Sequence, residues 1–167
     1  MNPRKFSLFT LFLLLTVVLS GRALYADDVR IQKVIDLESL GELARDRKLP
    51  ILLMFSQDDC PYCTVMEEDY LKPMLRSGQY TDKVIIRKVK IDDFDTFTDF
   101  DGNRIEADHL TGRYRAWVTP TLVFVDGNGE EVARKLVGIG TEGFFAGDID
   151  NAIDHALSRL RSSVALK

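Results

Sequence analysis

Cys60 and Cys63 are the only cysteines in a chain of 167 residues, and their spacing is its strongest chemical signal. Three apart at the start of a helix, they share one face and lie within reach of a disulfide. At a helix N-terminus Cys60 meets unpaired backbone N–H groups and the positive end of the dipole, which favour a thiolate, the attacking species in disulfide exchange. Cys63, one turn on, is placed to attack a mixed disulfide formed on Cys60, so the pair can cycle between dithiol and disulfide. Two other readings stay open, a structural disulfide and half of a metal site. A bridge across so small a loop adds little stability, and His109 and His155 lie far away in sequence. Two cysteines make neither a disulfide-dense scaffold nor a four-thiolate zinc site. The reading calls for no metal and no cofactor.

The flanking pattern says what positions the pair. Leu37, Leu40, Leu43 and Ala44 recur at helical spacing after a capping Asp36, and Pro50 stops that helix. Ile51 to Phe55 is a continuous apolar run of strand length, which predicts a strand covered on both faces. A polar loop, Ser56 to Asp59, leads into a helix opened by Cys60-Pro61-Tyr62-Cys63 and continuing through Met66 and Leu71, with Pro61 suited to its first position. Val84 to Ile91 is rich in β-branched residues and reads as a second strand.

Residues 92–113 are the least regular stretch, acidic and aromatic, ending in a short helix from Glu106 to Tyr114. A calcium loop fails on register: with Gly102 at the required glycine, Phe97 falls at the first ligand position and Asp108 at the last. The segment reads instead as a solvated insertion whose phenylalanines pack onto the domain. Thr121 to Val125 gives a third strand, Asp126 to Gly129 a tight turn, and Glu131 to Val137 a fourth strand. Phe145, Ile149, Ile153, Leu157 and Leu160 form one stripe of a final helix. A βαβ unit, a hairpin and a closing helix predict an α/β fold: a mixed central sheet of about four strands with helices on both faces.

Residues 1–26 read as a cleaved export signal. Arg4 and Lys5 precede Phe6 to Leu19, in which eleven of fourteen residues are apolar, short of the ~20 needed to span a bilayer. Cleavage is expected near Ala26, with Ala23 as the alternative. These residues hold three bases and no acid, so residues 27–167 carry 19 Lys+Arg against 26 Asp+Glu, a net −7, against −4 for the whole chain. An acidic domain without a basic block argues against nucleic-acid binding. The expected location is the periplasm, where disulfides persist.

The strand Ile51–Phe55 running into Cys60-Pro61-Tyr62-Cys63, followed by Val118-Thr119-Pro120-Thr121 at the head of a later strand and the Gly127/Gly129 turn, resembles the thioredoxin superfamily over residues 34–160. The resemblance implies a thioredoxin-like fold, Cys60 as nucleophile, Cys63 as resolving cysteine, and Pro61 and Tyr62 as residues that tune the pair. It also implies a cis Pro120 standing beside Cys60, so that the Thr119 backbone can pair with a substrate chain. Trp117 is read as rimming that groove. Within the superfamily the sequence is similar to periplasmic thioredoxin-like proteins, the SoxW-like group and the reducing domain of DsbD. It departs from cytosolic thioredoxin at Met54, where that family has the aspartate that accepts the resolving cysteine's proton. Lys88 matches the lysine that partners this aspartate. Pro61-Tyr62 is the glutaredoxin pair, but no glycine-aspartate glutathione clamp follows.

The implied activity is an exported protein dithiol–disulfide oxidoreductase. A potential between about −270 and about −120 mV is expected, and Asp58 and Asp59 should oppose thiolate formation on Cys60, favouring a reductant. Glu67, Glu68 and Asp69 are read as a solvated face. The implied partners are cysteine-containing periplasmic proteins and a membrane electron donor of the DsbD or CcdA type, with the protein a monomer. A thiol oxidase or isomerase would share every motif, and a redox-inert binding module using the Thr119-Pro120 groove is the third possibility.

Overall fold

The computed structural model describes residues 29–141 and 143–164; the export signal read over residues 1–26 lies outside them. Asp36 caps the first helix, its carboxylate accepting the Ser39 N–H at 2.9 Å. Helix α1 runs Leu37–Arg47 and ends at Lys48, which takes a left-handed conformation. Leu37, Leu40 and Ala44 are buried as the spacing predicts, but Leu43 is 42% exposed and Gly41 takes the inner position. The cause is a close backbone approach: a Cβ on Gly41 would sit 2.3 Å from the Gly127 carbonyl oxygen.

Strand β1, Ile51–Ser56, is buried along its whole length. The helix that follows, α2, runs without a break through an α-helical stretch Pro61–Val65, a wide π turn Met66–Leu71 and a second α-helical stretch Lys72–Ser77. Sequence explains the wide turn. Met66 and Leu71 are both fully buried, yet five residues of α-helix would swing the second off the inner face, and one π turn returns it. Pro73 follows directly and has no N–H to donate, so the ladder is interrupted there in any case.

Strand β2, Ile85–Lys90, pairs parallel to β1. A short ribbon, β3 (Phe97–Thr98) and β4 (Arg104–Ile105), precedes helix α3, Ala107–Tyr114. Strand β5, Thr121–Val125, lies antiparallel to β1 on its other side and pairs with β6, Leu136–Val137, giving the order β2-β1-β5-β6. Helix α4, Phe145–Val164, closes the fold. Ile51, Leu53 and Phe55 of β1 pack with α1 and α3, whereas Leu52 and Met54 pack with α2 and α4. Helices therefore cover both faces, as predicted.

Two expectations need correction. The fourth strand is shorter than Glu131 to Val137: only Leu136–Val137 ladders with β5, apart from one bridge between Val125 and Glu131. Between these points the pairing slips by two residues, a bulge over residues 133–135. Lys135 bends back there to donate to the Tyr114 carbonyl. In the 92–113 segment Phe97 is buried and Phe100 partly so, but Phe94 is 89% exposed. Asp99 organises this segment, accepting the N–H groups of Asp101 and Asn103 and pairing with Arg113 at 3.0 Å.

The N-terminal residues carry a pairing that the sequence patterns did not reveal. Val34 donates to the Lys88 carbonyl and Lys88 donates to that of Gln32, covering the outer edge of β2. Among the described residues no helix is long and apolar enough to cross a membrane.

Candidate active site

Strand β1 ends at Ser56, and residues 57–59 turn the chain into α2. Asp59 adopts a left-handed backbone immediately before Cys60. Cys60 then has extended backbone and is itself the cap of α2: its sulfur accepts the Cys63 N–H at 3.1 Å. Its carbonyl accepts the N–H groups of Cys63 and Thr64. Pro61 occupies the first turn, where a missing donor costs nothing. Cys60 and Cys63 are joined in a disulfide of 2.10 Å with their Cα atoms 5.2 Å apart. Cys63 is 3% exposed, whereas Cys60 is partly open to solvent. Attack from outside therefore falls on Cys60.

From the other side β5 brings in Thr119 and Pro120. The bond between them is cis, and the Thr119 hydroxyl donates to the Cys60 sulfur at 3.6 Å. One backbone N–H and one hydroxyl thus point at the Cys60 sulfur. Tyr62 is 67% exposed on the first turn of α2. Trp117 is also exposed, at 65%, and its ring edge faces Gly112 of α3.

A cleft of about 550 Å³ opens beside the disulfide, lined by the 56–61 turn, by Cys63, Thr64, Glu67 and Glu68 of α2, and by Lys88 and Lys90 of β2. Trp117 does not line it. Two sequence-based assignments change here. Asp58 is not a free charge: Lys90 lies 2.5 Å from its carboxylate. That hydrogen bond, working against the cost of burial and aided by Asp92, Asp58 and Asp93, holds the Lys90 ammonium above its ordinary range. Glu67 does not belong to a solvated face either. It is 16% exposed, and both its oxygens accept from Lys88, at 2.8 and 3.0 Å. Lys88 stands directly across the ladder from Met54, so the lysine survives beside a position that holds no acid and takes its carboxylate from the helix. Glu67 was detectable in sequence as the acid four residues after Cys63, on the same face of the helix.

Comparison with known proteins bears on the fold and the family. A chain described as DsbH oxidoreductase is 16% identical with a TM-score of 0.54, over 83% of this chain and 92% of that one. A chain from a study of thiol resolution in yeast mitochondrial 1-Cys peroxiredoxin is 17% identical with a TM-score of 0.50, over 74% and 93%. Mitochondrial thioredoxin 3 from Saccharomyces cerevisiae, in its oxidised form, is 18% identical with a TM-score of 0.49, over 74% and 93%. At such identities the first two likenesses speak for the fold. No curated protein sequence matches. The model of the thioredoxin-like domain, however, matches residues 38–147, which span β1, the cysteine pair, the Thr119-Pro120 turn and the start of α4. The chain belongs to the thioredoxin-like family and, with Cys60 and Cys63 paired at the head of α2, is a thiol–disulfide oxidoreductase.

Proposed function

We propose that the protein is exported to the periplasm and reduces disulfides of client proteins there, with Cys60 as nucleophile and Cys63 as resolving cysteine. The observation that carries the roles is the asymmetry of the pair: Cys60 is the open, donor-capped sulfur, and Cys63 is buried one turn behind it. The apolar run Phe6 to Leu19 behind Arg4 and Lys5 supports export. Electrostatics support the reductive direction. Four carboxylates, of Asp58, Asp59, Glu67 and Glu68, line the cleft against the ammonium groups of Lys88 and Lys90, with Lys72 paired to Glu68, which leaves Asp59 as the surplus negative charge. A net negative cleft disfavours the Cys60 thiolate and so the dithiol form, which makes the couple a better electron donor.

In the cycle the Cys60 thiolate attacks a client disulfide and one client sulfur leaves. Cys63 then attacks the Cys60 sulfur, the second client thiol departs, and the dithiol has become the disulfide. Restoring it needs two electrons, which in an oxidising compartment calls for a membrane donor of the DsbD or CcdA type. Tyr62 and the Thr119-Pro120 turn flank the open sulfur where a client chain would lie.

The test is to express the Cys63→Ser variant with its leader and recover mixed disulfides from periplasm. Clients bound through Cys60, absent when Cys60 is also replaced, are the expected result. An empty trap would count against the enzyme and favour a redox-inert binding module, whereas a potential as oxidising as about −120 mV on equilibration with glutathione would sink the reductase and favour an oxidase.

A further inference from the structure

The resolving step has a proton to place. Cys63 is buried, and a neutral thiol is a poor nucleophile. The position across from Lys88 in the β1/β2 ladder, Met54, carries no base. We propose that Glu67 is the proton acceptor for Cys63, with Lys88 as its positioning residue; this rests on Cys60 and Cys63 having the roles proposed above.

Glu67 follows Cys63 by four residues on one helix, a spacing that places Cβ atoms about 5–6 Å apart. Both side chains line the same cleft. The carboxylate is 16% exposed and is gripped through both oxygens by Lys88, itself 23% exposed. A long glutamate on a helix surface ordinarily samples solvent; here its head is held by Lys88 of β2.

The transfer moves charge without creating it. In the mixed-disulfide state Cys63 is a neutral thiol and Glu67 a carboxylate balanced by Lys88. When the proton passes from the Cys63 sulfur to a Glu67 oxygen, directly or through a water in the cleft, the negative charge moves to the sulfur within the cleft that Lys88 also lines. The thiolate attacks the Cys60 sulfur, the bond from Cys60 to the client sulfur breaks, and the leaving client thiolate takes the proton back. Two electrons have passed from Cys63 and Cys60 to the client disulfide, and Glu67 is again ionised. The other charged groups facing this site are Asp58 and Asp59 of the turn, Glu68 of α2 and Lys90 of β2. Asp58 is engaged by Lys90, and Glu68 by Lys72.

The experiment uses the reduced protein from residue 27 onward and oxidised glutathione as the disulfide, with rapid acid quench and mass analysis to follow both steps. Attack by Cys60 adds one glutathione; attack by Cys63 removes it and leaves the intramolecular disulfide. In Glu67→Gln the first step, measured in a Cys63→Ser background, is expected within about threefold of the parent. The second is expected to slow by roughly 100-fold at pH 7, in the range of general-base effects. The slowed step should recover as pH rises and Cys63 ionises unaided, and Glu67→Asp should recover part of the rate. Resolution by Glu67→Gln at the parent rate and with the parent pH profile overturns the assignment, as does a loss that high pH does not relieve. If the Cys63→Ser protein forms no mixed disulfide on Cys60, the proposed cysteine roles have failed. If it does and Glu67→Gln resolves normally, only the role of Glu67 has.

Discussion

The carboxylate of Asp58, two residues before Cys60, and the ammonium of Lys90 lie 2.5 Å apart at the mouth of the cleft. This ion pair moderates the acidity of the entry turn, and its removal should be felt at Cys60. With Lys90→Gln the charge of Asp58 is unmasked and opposes the thiolate. Alkylation of reduced Cys60 by iodoacetamide at neutral pH should slow about threefold, in the range expected of a nearby partly solvated charge. Adding Asp58→Asn should return most of the rate, because the two substitutions act through one pair. Equal slowing in the double variant would show that Lys90 acts on the sulfur by another route.

Gly41 and Gly127 support a prediction about stability. Alanine in a helix interior is ordinarily favoured over glycine by about 1 kcal/mol. At Gly41 the added Cβ would meet the Gly127 carbonyl oxygen at 2.3 Å, a backbone atom with little room to move. Overpacking of this kind costs about 1–3 kcal/mol, so net of the helix gain Gly41→Ala should lower the unfolding free energy by up to about 2 kcal/mol. Gly147, in α4, has nothing within 4 Å of its missing Cβ, and Gly147→Ala should be neutral or stabilising by up to about 1 kcal/mol. Denaturant unfolding of the two variants checks the contrast; a stabilised Gly41→Ala would mean that α1 shifts freely on the turn.

Much of this architecture can be read from residue patterns because those patterns report burial. The unbroken run Ile51 to Phe55 is a central strand, and the stripe Phe145, Ile149, Ile153 and Leu157 is the buried face of α4. Local chemistry was equally legible where it acts within a few residues, as in the Asp36 cap and in Cys60 and Pro61 at the head of α2. What could not be read depends on partners far apart in sequence. Leu43 loses its inner place to Gly41 because of Gly127, and the return strand bulges as Lys135 bends back to Tyr114. Glu67 looked solvated, and the partner of Asp58 was hidden, because Lys88 and Lys90 reach them from β2 only once β1 and β2 pair. The step of five between Met66 and Leu71 was visible in sequence, but a strict helical period hides its meaning as a wide turn.

Asp99 supports a prediction about acid. Its side chain is 3% exposed. Burial alone would push its carboxyl up, but the N–H groups of Asn103 and Asp101 and the guanidinium of Arg113 outweigh that and hold it below the usual range. A carboxyl depressed in the folded state stabilises the fold above its unfolded value of about 3.9, and this contribution is lost as pH falls through the folded value. The stabilised part is the 92–113 segment, which Asp99 ties to α3 through Arg113. Asp99→Asn keeps one acceptor but loses the ion pair, and should cost about 1–2 kcal/mol at pH 7. Chemical unfolding at pH 7, 5 and 3 should show the gap between the parent and Asp99→Asn intact at the first two values and narrowing at the third, where the parent carboxylate begins to take up its proton. A gap of the same size at all three would mean that the ionised form of Asp99 contributes nothing and that its role is only to accept hydrogen bonds.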